Sequence, residues 1–286
     1  MGRKDFKIII IVILWCFGTS CVKDKPASVS SIPVADSENV YVVCEGLLGN
    51  GDASLYLYHP TKDTVYGDVY SSVNGGSLGD IFESMVRINS RLFLCINNSD
   101  KIVVLNVSNW QQLGVINIPK PRNILYISPE KAYVSTLFSN KVYVINPQTL
   151  QVTKTIIMPH QNPEGMMLYQ NTAYICTWDT LANQLYSVDV NNDVISGAIQ
   201  LAGYAPQEVL LDKEQKIWVL SGNSPEGSTA TWTRIDPSNN EVLLADTFTA
   251  DANPMRPALN NTTINMYFII RLICYRIKNA PALYQL

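Results

Sequence analysis

Histidine is scarce in this sequence: His59 and His160 are the only two among 286 residues. Neither belongs to a group of His, Cys and Asp residues with the spacing of metal ligands, and no phosphate-binding loop or dinucleotide-binding fingerprint occurs. Metal-dependent and nucleotide-dependent catalysis therefore lack their usual residues. The sequence predicts a non-catalytic protein without a metal or a cofactor.

Charge is also scarce. Asp, Glu, Lys and Arg together make up 16% of the residues, and the formal net charge is −3. No run of lysines and arginines forms the basic surface that binding to a phosphate backbone requires. Nucleic acid is therefore not an expected partner.

One apolar run stands apart from the rest of the chain. It covers residues 8–17 and follows a short basic segment, and it is shorter than the roughly 20 residues that cross a bilayer. These features predict a signal peptide over residues 1–20. Small residues at 18–20 precede Cys21 and resemble a bacterial lipobox, in which Cys21 becomes the lipidated first residue of the mature protein. Ordinary cleaved secretion and a retained anchor are the alternatives, and the polar residues 21–38 are predicted to be a tether.

Beyond this segment, one sequence motif is repeated along the chain. A short strand centred on an aromatic residue recurs at intervals of 40 to 52 residues, at Tyr41, Phe93, Tyr133, Tyr174, Trp218 and Tyr267. A second alternating strand follows and ends in a turn, as in "KVYVINPQT" at 141–149. Short strands with this period predict an all-β fold, a β-propeller with about 40–45 residues in each four-stranded blade.

The repeat leaves the number of blades open. Five copies fill residues 40–253, and residues 254–286 supply about half of a sixth copy. The propeller, predicted over residues 39–286, is therefore either a six-bladed ring with a short last blade or a truncated seven-bladed ring. We favour truncation, because the final stretch lacks the Gly and Asn punctuation of the other copies.

Two cysteines fall at the same position of the repeat. Cys95 and Cys176 each lie two residues after the aromatic position, in different and non-adjacent copies. Their Cα atoms are therefore expected to lie too far apart for a disulfide, which requires a separation below about 7 Å. Both are predicted to be small buried residues. A bridge between Cys44 and Cys274 remains open.

Several segments resemble a known family. The phrases "GDIFESMVRINSRLFLCINNSDKIVVLNV" (79–107) and "LYISPEKAYVSTLFSNKVYVINPQTLQVTKTI" (125–156) look like the YVTN-type, WD40-like propeller lipoproteins of gut bacteria of the Bacteroides type. Residues 38–60 resemble the opening blade of that family. The resemblance implies a seven-bladed propeller that is lipid-anchored to the outer membrane and often faces the cell surface. Some members assist TonB-dependent transporters and capture cobalamin. This chain stops about one blade short of the family pattern, and residues 22–25 are less acidic than typical surface-export signals, so a periplasmic orientation is the alternative.

The repeat also predicts a ring of polar side chains at the mouth of the central channel. One position, at the start of each innermost strand, carries a polar or charged residue in five copies: Glu83, Arg122, Glu164, Gln207 and Arg256. Mixed charge of this kind suits a polar ligand that is neutral or zwitterionic. The alternative is that these side chains pair with one another and plug the channel.

Loops on the same face supply further candidates. Trp178 and Phe138 lie just beyond their strands, where blade packing needs no large apolar side chain, and Asn97 occupies the corresponding loop of another copy. An aromatic ring beside amide groups can stack on a flat ligand such as a sugar or a corrin ring. The alternative is that each aromatic side chain folds back over its own blade.

These observations lead to one functional hypothesis and two rivals. The first is a non-catalytic outer-membrane lipoprotein that captures a small nutrient, such as a corrinoid or a glycan, for a TonB-dependent transporter. The second is a scaffold that docks on an outer-membrane transporter and holds no small molecule. The third is a propeller lyase or hydrolase, which the scarcity of histidine argues against.

Overall fold

The repeat folds into consecutive antiparallel sheets, as the sequence predicts. The computed structural model describes residues 39–222, 229–249, 252, 254–259, 266–270 and 273–277. Within this part of the chain there are six sheets, of which four have four strands and two have three. The all-β propeller prediction is confirmed. The predicted signal peptide, the lipidation at Cys21 and the tether over residues 21–38 lie outside the described residues.

The first two sheets run in chain order from strand to strand. The first contains β1 (Val40–Cys44), β2 (Ser54–His59) and β3 (Thr64–Tyr66), and a short helix α1 (Val69–Asn74) follows it. The second contains β4 (Phe82–Ile88), β5 (Arg91–Ile96), β6 (Lys101–Asn106) and β7 (Gln112–Asn117). Single 3₁₀ turns occur at Pro60–Lys62 and Asn97–Ser99.

The remaining sheets repeat the second. The third contains β8 (Pro121–Ser128), β9 (Lys131–Thr136), β10 (Lys141–Asn146) and β11 (Gln151–Ile157). The fourth contains β12 (Pro163–Tyr169), β13 (Thr172–Thr177), β14 (Gln184–Asp189) and β15 (Val194–Gln200). The fifth contains β16 (Pro206–Leu211), β17 (Ile217–Ser221), β18 (Thr231–Asp236) and β19 (Glu241–Thr247). The sixth contains β20 (Pro254–Leu259), β21 (Met266–Ile270) and β22 (Ile273–Ile277).

Within the described residues, the first sheet has no innermost strand and the sixth has no fourth strand. Strand β1 carries Tyr41 and is therefore a second strand, so the described part of the first sheet has no innermost strand. The sixth sheet begins with the innermost strand β20 and ends at its third strand, one strand more than the half copy expected from the sequence. The choice between a six-bladed ring and a truncated seven-bladed ring stays a prediction.

The apolar core lies between successive sheets. Phe93 of the second sheet packs with Val134 of the third, Tyr133 of the third packs with Ile175 of the fourth, and Tyr174 of the fourth packs with Val219 of the fifth. Second strands are almost wholly buried in these sheets, whereas the outermost strands are mostly exposed. Stacking of sheets against both faces explains why the apolar residues occupy both sides of the inner strands.

A side-chain turn closes the third strand of each four-stranded sheet. Asn106, Asn146, Asp189 and Asp236 each accept a hydrogen bond from the backbone N–H two residues later, at 2.8–3.0 Å. In the first sheet this position is His59, whose Nδ1 accepts from the backbone N–H of Lys62 at 3.3 Å. Asx turns of this kind supply the repeated turn signal of the sequence.

The cysteines whose side chains are described are all free thiols. Cys95 and Cys176 are both fully buried free thiols, as the repeat predicts. Cys44 is also a free thiol, so it does not form the bridge to Cys274 that the sequence left open. The side chain of Cys274 lies outside the described residues.

Candidate functional site

The predicted polar ring coincides with an irregularity of the innermost strands. In β4, β8, β12, β16 and β20 the pairing with the second strand shifts register near the start of the strand. The residues that each shift leaves without a partner on the second strand include every member of the predicted ring: Glu83, Arg122, Glu164, Gln207 and Arg256. A β-bulge re-aims side chains and is common beside functional sites. The bulge recurs in each innermost strand, so these polar residues depart from the regular alternation of the strand residues that follow them.

Arg122 is the centre of the group. Its Nη1 atom lies 2.6 Å from Oε2 of Glu83, and its Nη2 atom lies 2.7 Å from Oε1 of Glu164. The Nε–H of Arg122 also donates to both carboxylate oxygens of Glu164, at 2.9 and 3.0 Å. One guanidinium on the third sheet thus joins carboxylates on the second and fourth sheets, in the fork geometry that makes such pairs strong.

The pKa of Arg122 reflects the carboxylates around it. Burial acts to lower the pKa of its guanidinium, but the charge and hydrogen bonds of Glu164, together with the charges of Glu83 and Glu208, outweigh burial and raise that pKa. Three carboxylates therefore act on one guanidinium within the described residues.

Close packing of the inner strands supports this arrangement. A Cβ atom added at Gly165 would lie 2.6 Å from the carbonyl oxygen of Gln207, so β12 and β16 approach too closely there for any side chain. The hydroxyl of Ser84 donates to the carbonyl oxygen of Arg122, which ties the second sheet to the third at the same level. The glycine is required by this contact rather than by a turn.

Other ring members are placed differently. The side-chain amide of Gln207 donates to the carbonyl oxygen of Gly222 at 3.1 Å, within its own sheet. The side chain of Arg256 lies outside the described residues. The structure therefore joins Glu83, Arg122 and Glu164, with Glu208 acting on them electrostatically.

The predicted loops do lie on one face. In each four-stranded sheet, the residue after the second strand donates its N–H to the carbonyl of the residue before the innermost strand. The pairs are Asn97 with Ile81, Leu137 with Lys120, Trp178 with Asn162, and Gly222 with Ala205, at 2.7–3.1 Å. The innermost strand enters its sheet at the end where the antiparallel second strand leaves it, which brings both loops together. We call this surface the loop face.

Asn97 is a buried part of this framework. Its side-chain amide donates to the carbonyl oxygen of Pro121 at 3.1 Å, and its backbone N–H donates to Ile81. Trp178 is half-buried, and its indole N–H has no hydrogen-bond partner within the described residues although the atom is shielded from solvent. Its neighbour Asp179 lies 3.8 Å from Nδ1 of His160 and accepts the backbone N–H of Gln161.

Phe138 is the least shielded of the predicted residues. Its side chain is 75% exposed, so it does not fold back over its own blade. Its backbone has φ of 59°, a left-handed conformation that is strained for a bulky residue. The backbone N–H of Phe138 donates to the side chain of Asn162 at 2.7 Å, which holds the loop in place. The left-handed backbone is shared with Asp100 in the corresponding loop of the second sheet, whereas the large exposed ring is particular to Phe138.

Further apolar residues on the loop face were not identified from the sequence. Leu47, Leu48, Leu181 and Tyr204 are all exposed, and each lies in a loop between a second and third strand or before an innermost strand. Aligning all loops of the repeat, rather than the entry positions alone, would have found them. Together with Phe138 they place apolar loop tips on the face that also bears the polar group.

Within the described residues, no three His, Cys, Asp or Glu side chains are arranged to hold a metal ion. The sequence contains one G-x-S-x-G match, at residues 75–79, but it follows α1 rather than joining a strand to a helix. The hydroxyl of its Ser77 donates to the carbonyl oxygen of Gly51 and accepts from the backbone N–H of Gly79 at 3.1 Å. Ser77 is therefore a loop-joining residue and does not have the surroundings of a nucleophile.

None of the helices in the described residues has the length and hydropathy needed to cross a membrane.

Solved structures of other proteins share the fold. The hydrazine synthase of Kuenenia stuttgartiensis superimposes with a TM-score of 0.58 at 16% identity, over 63% of this chain and 52% of its own. The virginiamycin B lyase from Staphylococcus aureus superimposes with a TM-score of 0.52 at 15% identity, over 68% of this chain and 66% of its own. This chain therefore spans about half of the first protein and about two thirds of the second. At these identities the likeness shows the fold alone.

Comparison at the level of sequence gives the family. None of the curated proteins compared with this chain matches it. A family model, in contrast, matches residues 38–258, which cover the first five sheets and most of β20. The chain belongs to the family described as "Domain of unknown function (DUF5074)".

Proposed function

We propose that the loop face captures a small polar molecule that has a flat apolar surface, without catalysing a reaction. The observation that carries this proposal is Phe138, a large aromatic side chain that is 75% exposed on left-handed backbone. The exposed ring adds little to the packing of the core, so it is available for contact with another molecule.

The polar group at the inner strands supplies the second half of such a site. Ligand pockets combine apolar and aromatic walls with a small number of convergent polar groups. Here the convergent groups are the carboxylates around Arg122, and the walls are the apolar loop tips. Carboxylates and a guanidinium side by side suit a polar ligand with hydroxyl, amide or amine groups.

The class of ligand and the cellular setting come from the sequence. Cys21 after an apolar run, and the resemblance to Bacteroides-type propeller lipoproteins, support lipid anchoring at the outer membrane, at the cell surface or on its periplasmic side. A corrinoid or a glycan delivered to a TonB-dependent transporter fits both that setting and a flat aromatic contact.

Phe138→Asn tests the proposal, because asparagine is among the residues that best tolerate left-handed backbone. Relief of strain is expected to leave the melting temperature unchanged or to raise it, while binding of the ligand is lost. The measurements are calorimetric titration with cobalamin, cobinamide and a panel of glycans, and thermal unfolding of the same samples. Asp100→Asn is the matched control, since Asp100 has φ of 53° at the corresponding loop and carries no aromatic ring.

Absence of heat with every compound, at concentrations that saturate a micromolar site, would contradict capture of these ligands. A lower melting temperature for Phe138→Asn would show instead that the aromatic ring serves the fold.

A scaffold that docks on an outer-membrane transporter is the second candidate. The observation that favours it is the exposure of Leu47, Leu48 and Leu181, three aliphatic side chains on the loop face. Leu181→Ser combined with Leu48→Ser is expected to abolish association with a transporter and to leave the melting temperature unchanged, because both side chains are exposed. Co-purification of the tagged full chain from its own cells checks this outcome.

A further inference from the structure

The first sheet carries two insertions that the repeat does not explain. The loop between β1 and β2 covers residues 45–53, which is as long as the loop 222–230 of the fifth sheet and longer than the loop 137–140 of the third. The segment between β3 and β4 covers residues 67–81 and contains α1, whereas the third sheet is entered through residues 118–120. Departures from a repeat mark segments whose residues serve something other than blade packing.

The two insertions are built against each other. The backbone N–H of Gly49 donates to the carboxylate of Asp80 at 2.9 Å, and that of Ala53 donates to the carbonyl oxygen of Gly79 at 3.1 Å. The hydroxyl of Ser77 donates to the carbonyl oxygen of Gly51. Backbone and side-chain bonds thus hold the two loops together as one unit.

A cleft of about 380 Å³ lies between them. This volume falls within the range of roughly 300–1,000 Å³ that is usual for small-molecule sites. Its walls include Tyr56 of β2, the carboxylates of Asp52 and Asp68, and the hydroxyls of Ser54, Ser71 and Ser77, with glycines between them. No lysine, arginine or histidine of the described residues lines it.

Hydrogen-bonding capacity remains in this cleft. Asp52 accepts the backbone N–H of Leu47 through Oδ1 at 2.8 Å, and Asp68 accepts the backbone N–H and the hydroxyl of Ser71. Each carboxylate has about four lone-pair positions, so both can accept further hydrogen bonds. A serine hydroxyl can both donate and accept.

This combination matches the chemistry of a sugar. Vicinal hydroxyl groups donate in pairs to a carboxylate and accept from serine, while the C–H face of a pyranose packs on an aromatic ring such as Tyr56. An organic cation is the competing class, but Asp52 is exposed to solvent, so its charge alone does not demand a cationic partner. The lack of a cationic side chain argues against phosphorylated or acidic sugars.

We propose that the cleft between the two insertions of the first sheet binds a neutral pyranose unit, with Tyr56 as the stacking surface and Asp52 and Asp68 as hydroxyl acceptors. The cleft borders the loop face, since its first insertion also carries Leu47 and Leu48, but the proposed sugar contacts use neither Phe138 nor the polar group around Arg122 and so do not depend on the proposed function. Its single aromatic wall and open position imply weak binding, with a dissociation constant on the order of 1 mM.

Saturation-transfer NMR of the full chain with methyl glycosides of glucose, galactose, mannose and N-acetylglucosamine tests the site. Tyr56→Ala and Asp52→Asn are each expected to weaken binding about tenfold. Tyr58→Ala is the matched control, because Tyr58 lies two residues further along the same face of β2 and bonds to Asp63 outside the cleft. Asp52→Asn changes an exposed side chain, so it tests the site even if Tyr56→Ala disturbs the fold.

The outcomes separate the two proposals. Sugar binding in the cleft is supported if saturation transfer to at least one glycoside is unchanged in Tyr58→Ala and Phe138→Asn. In the same experiment, transfer must be reduced in Tyr56→Ala and Asp52→Asn. Loss in Phe138→Asn alone would assign the glycoside to the loop face and overturn the cleft. No transfer to any glycoside, or transfer only to choline as a cationic probe, would also overturn the sugar assignment.

Discussion

The first sheet and the four-stranded sheets share the same sequence repeat, but their second strands have different neighbours. Strand β1 contains Val40, Val42 and Val43, all of them exposed, whereas the corresponding strands β5, β9, β13 and β17 are almost completely buried. The difference is not one of composition. In the four-stranded sheets the second strand lies between an innermost and a third strand, while β1 is hydrogen-bonded on one edge only within the described residues. The comparison teaches that burial of a repeat residue is set by its neighbours and not by its own sequence.

The innermost strand, which the described part of the first sheet lacks, contributes the strongest polar contacts. Arg122→Ala would leave the buried carboxylate of Glu164 and that of Glu83 without their guanidinium partner. Removing one member of a buried ion pair costs about 3–5 kcal/mol, and we expect the lower end because Arg122 keeps some exposure. Chemical denaturation measures the free energy of unfolding. Arg87→Ala, on the exposed part of β4, is the control and should cost no more than about 0.5 kcal/mol.

An unchanged free energy of unfolding in Arg122→Ala would contradict a structural role for the pair. It would leave the ring free for ligand contact alone.

A matched pair of valines tests the comparison directly. Val134 and Val42 each follow the aromatic residue of their strand, but Val134 is fully buried and Val42 is 39% exposed. Val134→Ala removes two buried carbon atoms and should cost about 2 kcal/mol, including the cavity that remains. Val42→Ala should cost about 0.5 kcal/mol or less. Equal costs in denaturant titrations would mean that β1 is covered in solution by residues or partners beyond those described.

The smallest effect concerns thiol chemistry and leaves the fold intact. Burial raises the pKa of the Cys95 thiol to about 12 and raises that of Cys176 well above its ordinary value, whereas Cys44 on β1 is only half-buried. Since the thiolate is the reactive form, Cys95 and Cys176 should resist iodoacetamide at neutral pH until the protein unfolds. Cys44 should be alkylated first, which peptide mass spectrometry can show. Early modification of Cys95 or Cys176 would indicate that the inter-sheet core opens.

Much of the loop face could be anticipated from the sequence, for a physical reason. The position of the polar ring follows from the repeat, because equivalent residues of a propeller occupy equivalent places in successive blades. The exposure of Phe138 follows from its place in a loop that needs no apolar side chain. The burial of Asn97 could not be read in this way, since it depends on the carbonyl of Pro121 from another segment.

By itself, the sequence determined the all-β class, the strand positions and the order of the sheets, because alternation and turn chemistry act between residues that are near each other in the chain. The tertiary structure alone decided that Arg122 binds two carboxylates from neighbouring sheets, that the inner strands bulge at the polar ring, and that two insertions of the first sheet enclose a cleft. These features join segments tens of residues apart. Their geometry is fixed by how closely neighbouring sheets pack, and no local pattern of residues encodes that distance.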